Sequence, residues 1–132
     1  MRLSHACVYA LHALEHLASE GGGRLVTARD IAEARGAPER YLMKVLTPLV
    51  SAGMLRSLKG PNGGFRLGRP SSQITLLEVV EAVDGPVRAE APLVAEVRDG
   101  LASRLEAVCQ RVAGEVRHRL GQVRLSDLAG KK

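Results

Sequence analysis

Gly60-Pro61-Asn62-Gly63-Gly64 is the stretch that most restricts how this chain can fold. No helix runs through it, since glycine costs about 1 kcal/mol and proline about 3 kcal/mol against alanine in a helix interior. Glycine reaches backbone angles closed to other residues, and proline presets φ for a turn corner. Met54-Leu55 precede the turn, and Phe65 with Leu67 follow it. The segment is therefore predicted to be a short two-stranded hairpin. From Ser57 to Pro70 it carries Lys59, Arg66 and Arg69 and no acid. A basic tip bare of acids calls for a polyanion, and the surrounding chain decides which one it meets.

The chain has 132 residues, the size of one domain or of one domain with an appended helix. Its aromatic residues are Tyr9, Tyr41 and Phe65, so the core must be Leu, Val and Ala, which suits helix packing. So few aromatics argue against a single-strand binder, which stacks bases on aromatic platforms. The formal net charge is +5, and it is unevenly placed. Residues 1–71 hold ten Lys or Arg and five acids; residues 72–132 hold nine of each. Between Arg35 and Arg69 there are seven basic residues, and the only acid is Glu39. Charge gathered in this way is an electrostatic footprint for phosphate. The plainer reading is a solvated basic surface. Cys7 and Cys109 are far apart and form no CxxC pair, which fits a reducing compartment. With no signal segment and no run of about 18 apolar residues, a soluble cytoplasmic protein with no membrane partner is expected.

Read in order, Ser4–Ser19 has helical apolar spacing through Val8, Leu11, Leu14 and Leu17, with Ser4 as N-cap and Gly21-Gly22-Gly23 as terminator. Arg24-Leu25-Val26 reads as a short extended piece. Thr27 with Asp30 resembles a capping box and opens a second helix that Gly36 ends. Pro38 sits well at the start of a third, whose buried stripe is Tyr41, Leu42, Val45, Leu46, Leu49 and Val50. Pro48 removes a backbone bond there, and a bend is expected near Lys44 to Thr47. Ile74–Val83 is predicted as a fourth helix, with Thr75 and Glu78 at capping-box distance.

Two short helices joined by a tight glycine-containing turn form a helix-turn-helix pattern, whose second helix faces a DNA major groove. Pro38, Glu39, Arg40 and Tyr41 fall at the start of that helix, with Lys44 one turn on. Arg40 can donate two bonds to guanine, and Lys44 can reach a base or a phosphate. The bland reading is an ordinary exposed helix start. The basic hairpin follows directly, which makes the ensemble a winged helix, and a narrow minor groove attracts the cations of such a wing. The fold class expected is mainly α: a winged helix-turn-helix head, residues 1–85, followed by a dimerisation helix and a short C-terminal helix, residues 86–132.

The first 85 residues resemble the Rrf2 family of bacterial regulators, which includes IscR, NsrR and CymR. The resemblance lies in MRLSHACVYALHALEHLA, in TARDIAEARGAPERYLMKVLTPLVSAGMLRS, in KGPNGGFRLGRP and in ITLLEVVEAVDG, with a further short match in VRLSDLAG. It implies a dimeric winged-helix transcription factor whose long helices cross and whose two heads read a palindrome. Arg40, Met43 and Lys44 fall where members contact bases, and Lys59 where the wing enters the minor groove. Met43 departs from the acidic residue that some members carry there, which leaves the target sequence open. Pattern and resemblance together give a DNA-facing set of Arg2, Thr27, Arg29, Pro38, Glu39, Arg40, Tyr41, Met43, Lys44, Arg56, Lys59, Gly60, Asn62 and Gly63.

Pro92–Leu120 is predicted as one long helix, with Val97, Leu101, Leu105, Val108, Val112, Val116 and Leu120 at spacings of three or four. Most steps are four, so the stripe drifts around the helix and suits one long crossing with a partner copy. The alternative is that the stripe packs on its own head. Leu125, Leu128 and Ala129 then form a short helix that folds back. Cluster-bearing relatives carry three cysteines after the fourth helix, but residues 85–106 contain none, so no cofactor is expected through that loop. His12 and His16, four apart on the first helix with His5 and Cys7 nearby, are the alternative metal candidates, and Cys7 with Cys109 the alternative redox pair. As surface or interface residues, the histidines need no such role.

The leading expectation is a homodimeric, sequence-specific, duplex-binding regulator, a repressor by preference. The alternatives are an interaction module controlled by a protein co-regulator docking on the arm, or the metal or redox sensor just described. An enzyme is not expected, because GPNGG lacks the Lys-Ser or Lys-Thr and the following helix of a P-loop.

Overall fold

The small residues of the first helix bring the head together. In the computed structural model, which describes residues 2–89 and 100–129, α1 spans His5–His16. Cys7, Ala10, Ala13 and Leu14 are fully buried along one face, and three of them are small enough to let neighbouring backbones approach. Ser4 caps the helix by accepting a bond from the Cys7 amide at 3.0 Å. Past His16 the chain continues as a π-helical turn, Leu17–Gly21, which ends at Gly22. The sequence pattern predicted an uninterrupted helix here. The Ser19 hydroxyl donates to the Glu15 carbonyl at 2.9 Å.

α2 spans Ala28–Arg35 and is capped by the Thr27 hydroxyl, which accepts from the Asp30 amide. Gly36 ends it at φ +67°, a left-handed conformation that strains any residue with a Cβ. That glycine makes the sharp turn into α3, Glu39–Ser51, for which Pro38 is the N-cap. The helix buries Leu42, Val45, Leu46 and Leu49 and runs on through Pro48. α1 packs on α3 and α4, and α2 packs on α3. After the turn at Ala52-Gly53, β1 (Leu55–Leu58) pairs antiparallel with β2 (Gly64–Leu67), the predicted hairpin.

Val26 adds a third short piece to this ribbon, exchanging bonds of 2.9 and 2.7 Å with Phe65. Gly64 is required here, because a Cβ would lie 2.7 Å from the Val26 carbonyl oxygen. A 3₁₀ turn, Ser71–Gln73, leads to α4, Leu76–Asp84, where Thr75 and Glu78 form a full capping box. The predicted fourth helix began at Ile74. The cap at Thr75 holds that residue extended and moves the start two positions on.

α5 is described from Gly100 to Gln122. Positions 92–99 of the predicted long helix, Val97 among them, lie outside the described residues. α6, Leu125–Leu128, folds back onto the head as expected. The Leu76 amide bonds to the Val123 carbonyl and the Leu125 amide to the Ile74 carbonyl, both at 2.8 Å. Leu125 belongs to the same buried cluster as Leu14 and Ile31, so the chain's end closes the core of the head. Among the described residues the architecture is six α-helices and one two-stranded antiparallel sheet, mainly α as predicted.

Candidate nucleic-acid interface

α3 presents two opposite faces. Leu42, Val45, Leu46 and Leu49 turn inward, while Arg40, Met43, Lys44 and Thr47 are all exposed at spacings of three and four. Thr47 was not among the predicted contacts, although helical periodicity places it on the Arg40 face. Its hydroxyl donates to the Met43 carbonyl at 3.3 Å. Tyr41 lies to one side, its ring edge-on to Tyr9 with centroids 5.1 Å apart, and it stays 38% exposed. This contact fixes the start of α3 against α1. Glu39 occupies the first turn, where an acid favours the helix dipole, and Pro38 supplies no side-chain cap.

The cations of the basic run fall into two groups. Arg35 pairs with Glu15 across α1 and α2, both partly buried. Arg69 donates to the Gln73 carbonyl at 3.0 Å and to Glu78 at 3.1 Å. Both hold the fold. Arg40, Lys44, Arg56, Lys59 and Arg66 are exposed. None of these five has an ion pair or side-chain hydrogen bond among the described residues. Arg66, outside the predicted set, belongs with them. Its signal in the sequence was its place in the acid-free basic segment Ser57 to Pro70. Arg29 pairs with Glu33 at 3.3 Å, but both side chains are largely exposed, and such surface pairs contribute little.

The remaining predicted positions lie around this surface. Arg2 and Thr27 are exposed, with the Thr27 hydroxyl engaged as a cap. Gly60 and Asn62 are exposed at the wing tip, and Gly63 is half-buried. The Gly63 amide bonds to the Gly60 carbonyl at 3.0 Å, which closes the turn. The wing therefore presents Lys59 at the end of β1 with no acid near it in sequence.

The alternative sensor residues fare differently. Cys7 is fully buried, and that burial, followed by the charge of Asp84, pushes its thiol up to about 11. A redox switch needs an exposed thiol of low pKa, so Cys7 is unsuited to the role. Cys109 is half-buried on α5. His5 and His12 are exposed and His16 half-buried, and among the described residues no three of His, Cys, Asp or Glu gather to hold a metal ion. No described helix is long and apolar enough to cross a membrane.

On α5, Leu101, Leu105, Val108 and Val112 of the predicted stripe are 45–62% exposed. Val116 is half-buried, and Leu120 packs against the head. The stripe thus divides into a head-bound end and an uncovered end.

The arrangement has relatives. A family model described as Rrf2, iron-dependent transcriptional regulator, matches residues 3–131. A Mycobacterium tuberculosis protein named as an HTH-type transcriptional regulator is 32% identical over 139 aligned positions, covering 98% of this chain and 82% of its own. The structure of CymR, the global cysteine regulator of B. subtilis, superposes with a TM-score of 0.77 at 26% identity, over 98% of this chain and 96% of its own. The IscR structure from T. potens shares the fold with a TM-score of 0.73 at 23% identity, over 97% of this chain and 85% of its own.

Proposed function

The chain belongs to the Rrf2 family of winged-helix transcriptional regulators, and from that premise we propose that it is a homodimeric repressor of palindromic operators that works without a cysteine-ligated cluster. One observation carries the reading: five exposed cations on α3 and the wing have no partner among the described residues, while the two flanking arginines are taken up by the fold. Arg40, Met43 and Lys44 read base edges from the major groove, and Lys59 enters the adjacent minor groove. Met43 suits a thymine methyl. It is 45% exposed and apolar, and apolar contact is how that group is read.

Dimerisation is supported by the uncovered half of the α5 stripe, since two half-sites need two heads. The family description names iron, but the donors on this chain do not fit a cluster. There are two cysteines in all, one of them sealed in the core of the head.

The test is selection of bound duplexes from a random pool, followed by titration over a range of salt. An inverted repeat should emerge. Five cations in each of two heads displace at most about ten counterions, for which affinity falls by up to about 10⁵-fold between 50 and 200 mM salt. Arg40→Ala and Lys59→Ala should each weaken operator binding at least about tenfold, the worth of one good bond to a base or groove edge. If both variants bind like the parent, the assignment of head and wing is wrong.

A further inference from the structure

β1 and β2 pair with Arg56 directly opposite Arg66 and Leu58 directly opposite Gly64. Side chains alternate across a strand, so Arg56, Leu58 and Arg66 share one face of the ribbon. The other face carries Leu55, Phe65 and Leu67, packed into or against the core. The outward face thus sets two arginines in register beside a leucine that is 60% exposed. Gly64 offers that leucine no cross-strand side chain to pack on. Like charges directly opposite each other destabilise a sheet. Neither arginine has an acid partner among the described residues, whereas Arg69, three positions on, is bonded twice. Folding alone gains nothing from this face.

The geometry points to a DNA-backbone clamp. Arg56 and Arg66 hold successive phosphates of one strand, and Leu58 lies against the deoxyribose edge beside the groove that Lys59 enters. This rests on the duplex-binding reading and extends it from base recognition to the outer wing. Arginine's planar fork matches phosphate oxygens, and phosphate cancels the cross-strand repulsion that the free protein carries. Deoxyribose supplies the apolar surface that an exposed leucine lacks in water.

The experiment uses the full chain and its selected operator. Arg56→Gln, Arg66→Gln and Leu58→Gln are titrated over a range of salt, and the melting temperature of each is measured without DNA. Each arginine variant should flatten the slope of log affinity against log salt by about 0.9 for every phosphate left without its cation, counted once per wing. The weakening should be alike on operator and random duplex, and the DNA-free protein should melt no lower than the parent. Leu58→Gln should weaken binding several-fold with the slope unchanged, because an apolar contact releases no counterion. Unchanged affinity and slope in both arginine variants, with Arg40→Ala still defective, overturns the clamp and leaves the duplex reading standing. Self-association of the arginine variants with intact DNA binding also overturns it, because it assigns the charges to guarding a strand edge. If Arg40→Ala and Lys59→Ala bind normally as well, the duplex reading itself has failed.

Discussion

Cys7 illustrates how completely surroundings set the chemistry of a residue. Its amide donates to the Ser4 hydroxyl, which in turn donates to Asp84 at 2.5 Å, so a carboxylate stands near a thiol that is already out of water. Burial first, and that charge second, raise the thiol from 9.0 to about 11. A raised thiol pKa means the folded protein holds its proton more tightly than the unfolded chain does. The stability this represents is therefore complete below pH 9 and is lost as pH climbs toward 11. At pH 8 a thiol reagent should label at most one cysteine per native chain and two after unfolding. Fast labelling of two in the native state would show that Cys7 is not sealed. The sequence showed Cys7 among apolar neighbours but not which wall it faced. Similarly, it gave the charge of Arg35 and Arg69 but not their engagement. Glu15 lies 20 residues from Arg35, and Glu78 lies 9 from Arg69 in the next helix. The exposed Arg40, Lys44 and Lys59 were legible because helix period and turn chemistry are local.

Elements were readable where their signals are local. Ser4, Thr27 and Thr75 each cap the helix that follows, and Gly36 turns the chain between α2 and α3. What was not readable depends on distant partners. Val26 pairs with Phe65, and Leu125 closes on Ile74, through bonds that no short window of sequence contains. The π-helical turn at Leu17–Gly21 has only its Ser19 back-bond as a local mark. Around α4 the local and the distant meet. Glu78 accepts from the Thr75 amide at 2.9 Å and from Arg69 at 3.1 Å, and so joins the capping box to the end of the wing. Burial alone would raise the Glu78 carboxyl, but the Thr75 amide and the Arg69 guanidinium together outweigh it and hold it below 4.5. A lowered carboxylate pKa contributes stability that is present above the unfolded value and lost as pH falls through the folded one. Glu78→Gln should therefore melt lower than the parent at neutral pH, and the gap should narrow below pH 4.5. A gap constant from pH 7 to pH 3 in thermal melts would remove Glu78 from the acid response. Thr75→Ala should cost about 1 kcal/mol at neutral pH, as loss of an N-cap does.

At the scale of the whole molecule, the head is complete and the arm is not. The core cluster runs from Cys7 to Leu125 and takes nothing from Leu101, Leu105, Val108 or Val112. These four lie at steps of four, three and four along α5, a continuous apolar strip left in water by a single chain. Strips of this kind mark an interface, and the proposed homodimer, an isologous pairing of two arms, would cover both at once. In that dimer the two heads would act through one effective concentration, multiplying operator affinity by about 10²–10⁴ over a single head. Leu105→Glu combined with Val108→Glu puts four like charges into that crossing while touching no residue of the head core. The parent should sediment as a dimer and the double variant as a monomer. The variant should still melt cooperatively, since its core is unaltered, and should lose at least about a hundredfold in affinity for the full palindrome. Its affinity for an isolated half-site should match that of a single parental head. A double variant that remains dimeric, or one that binds the palindrome as the parent does, would move the interface off this strip.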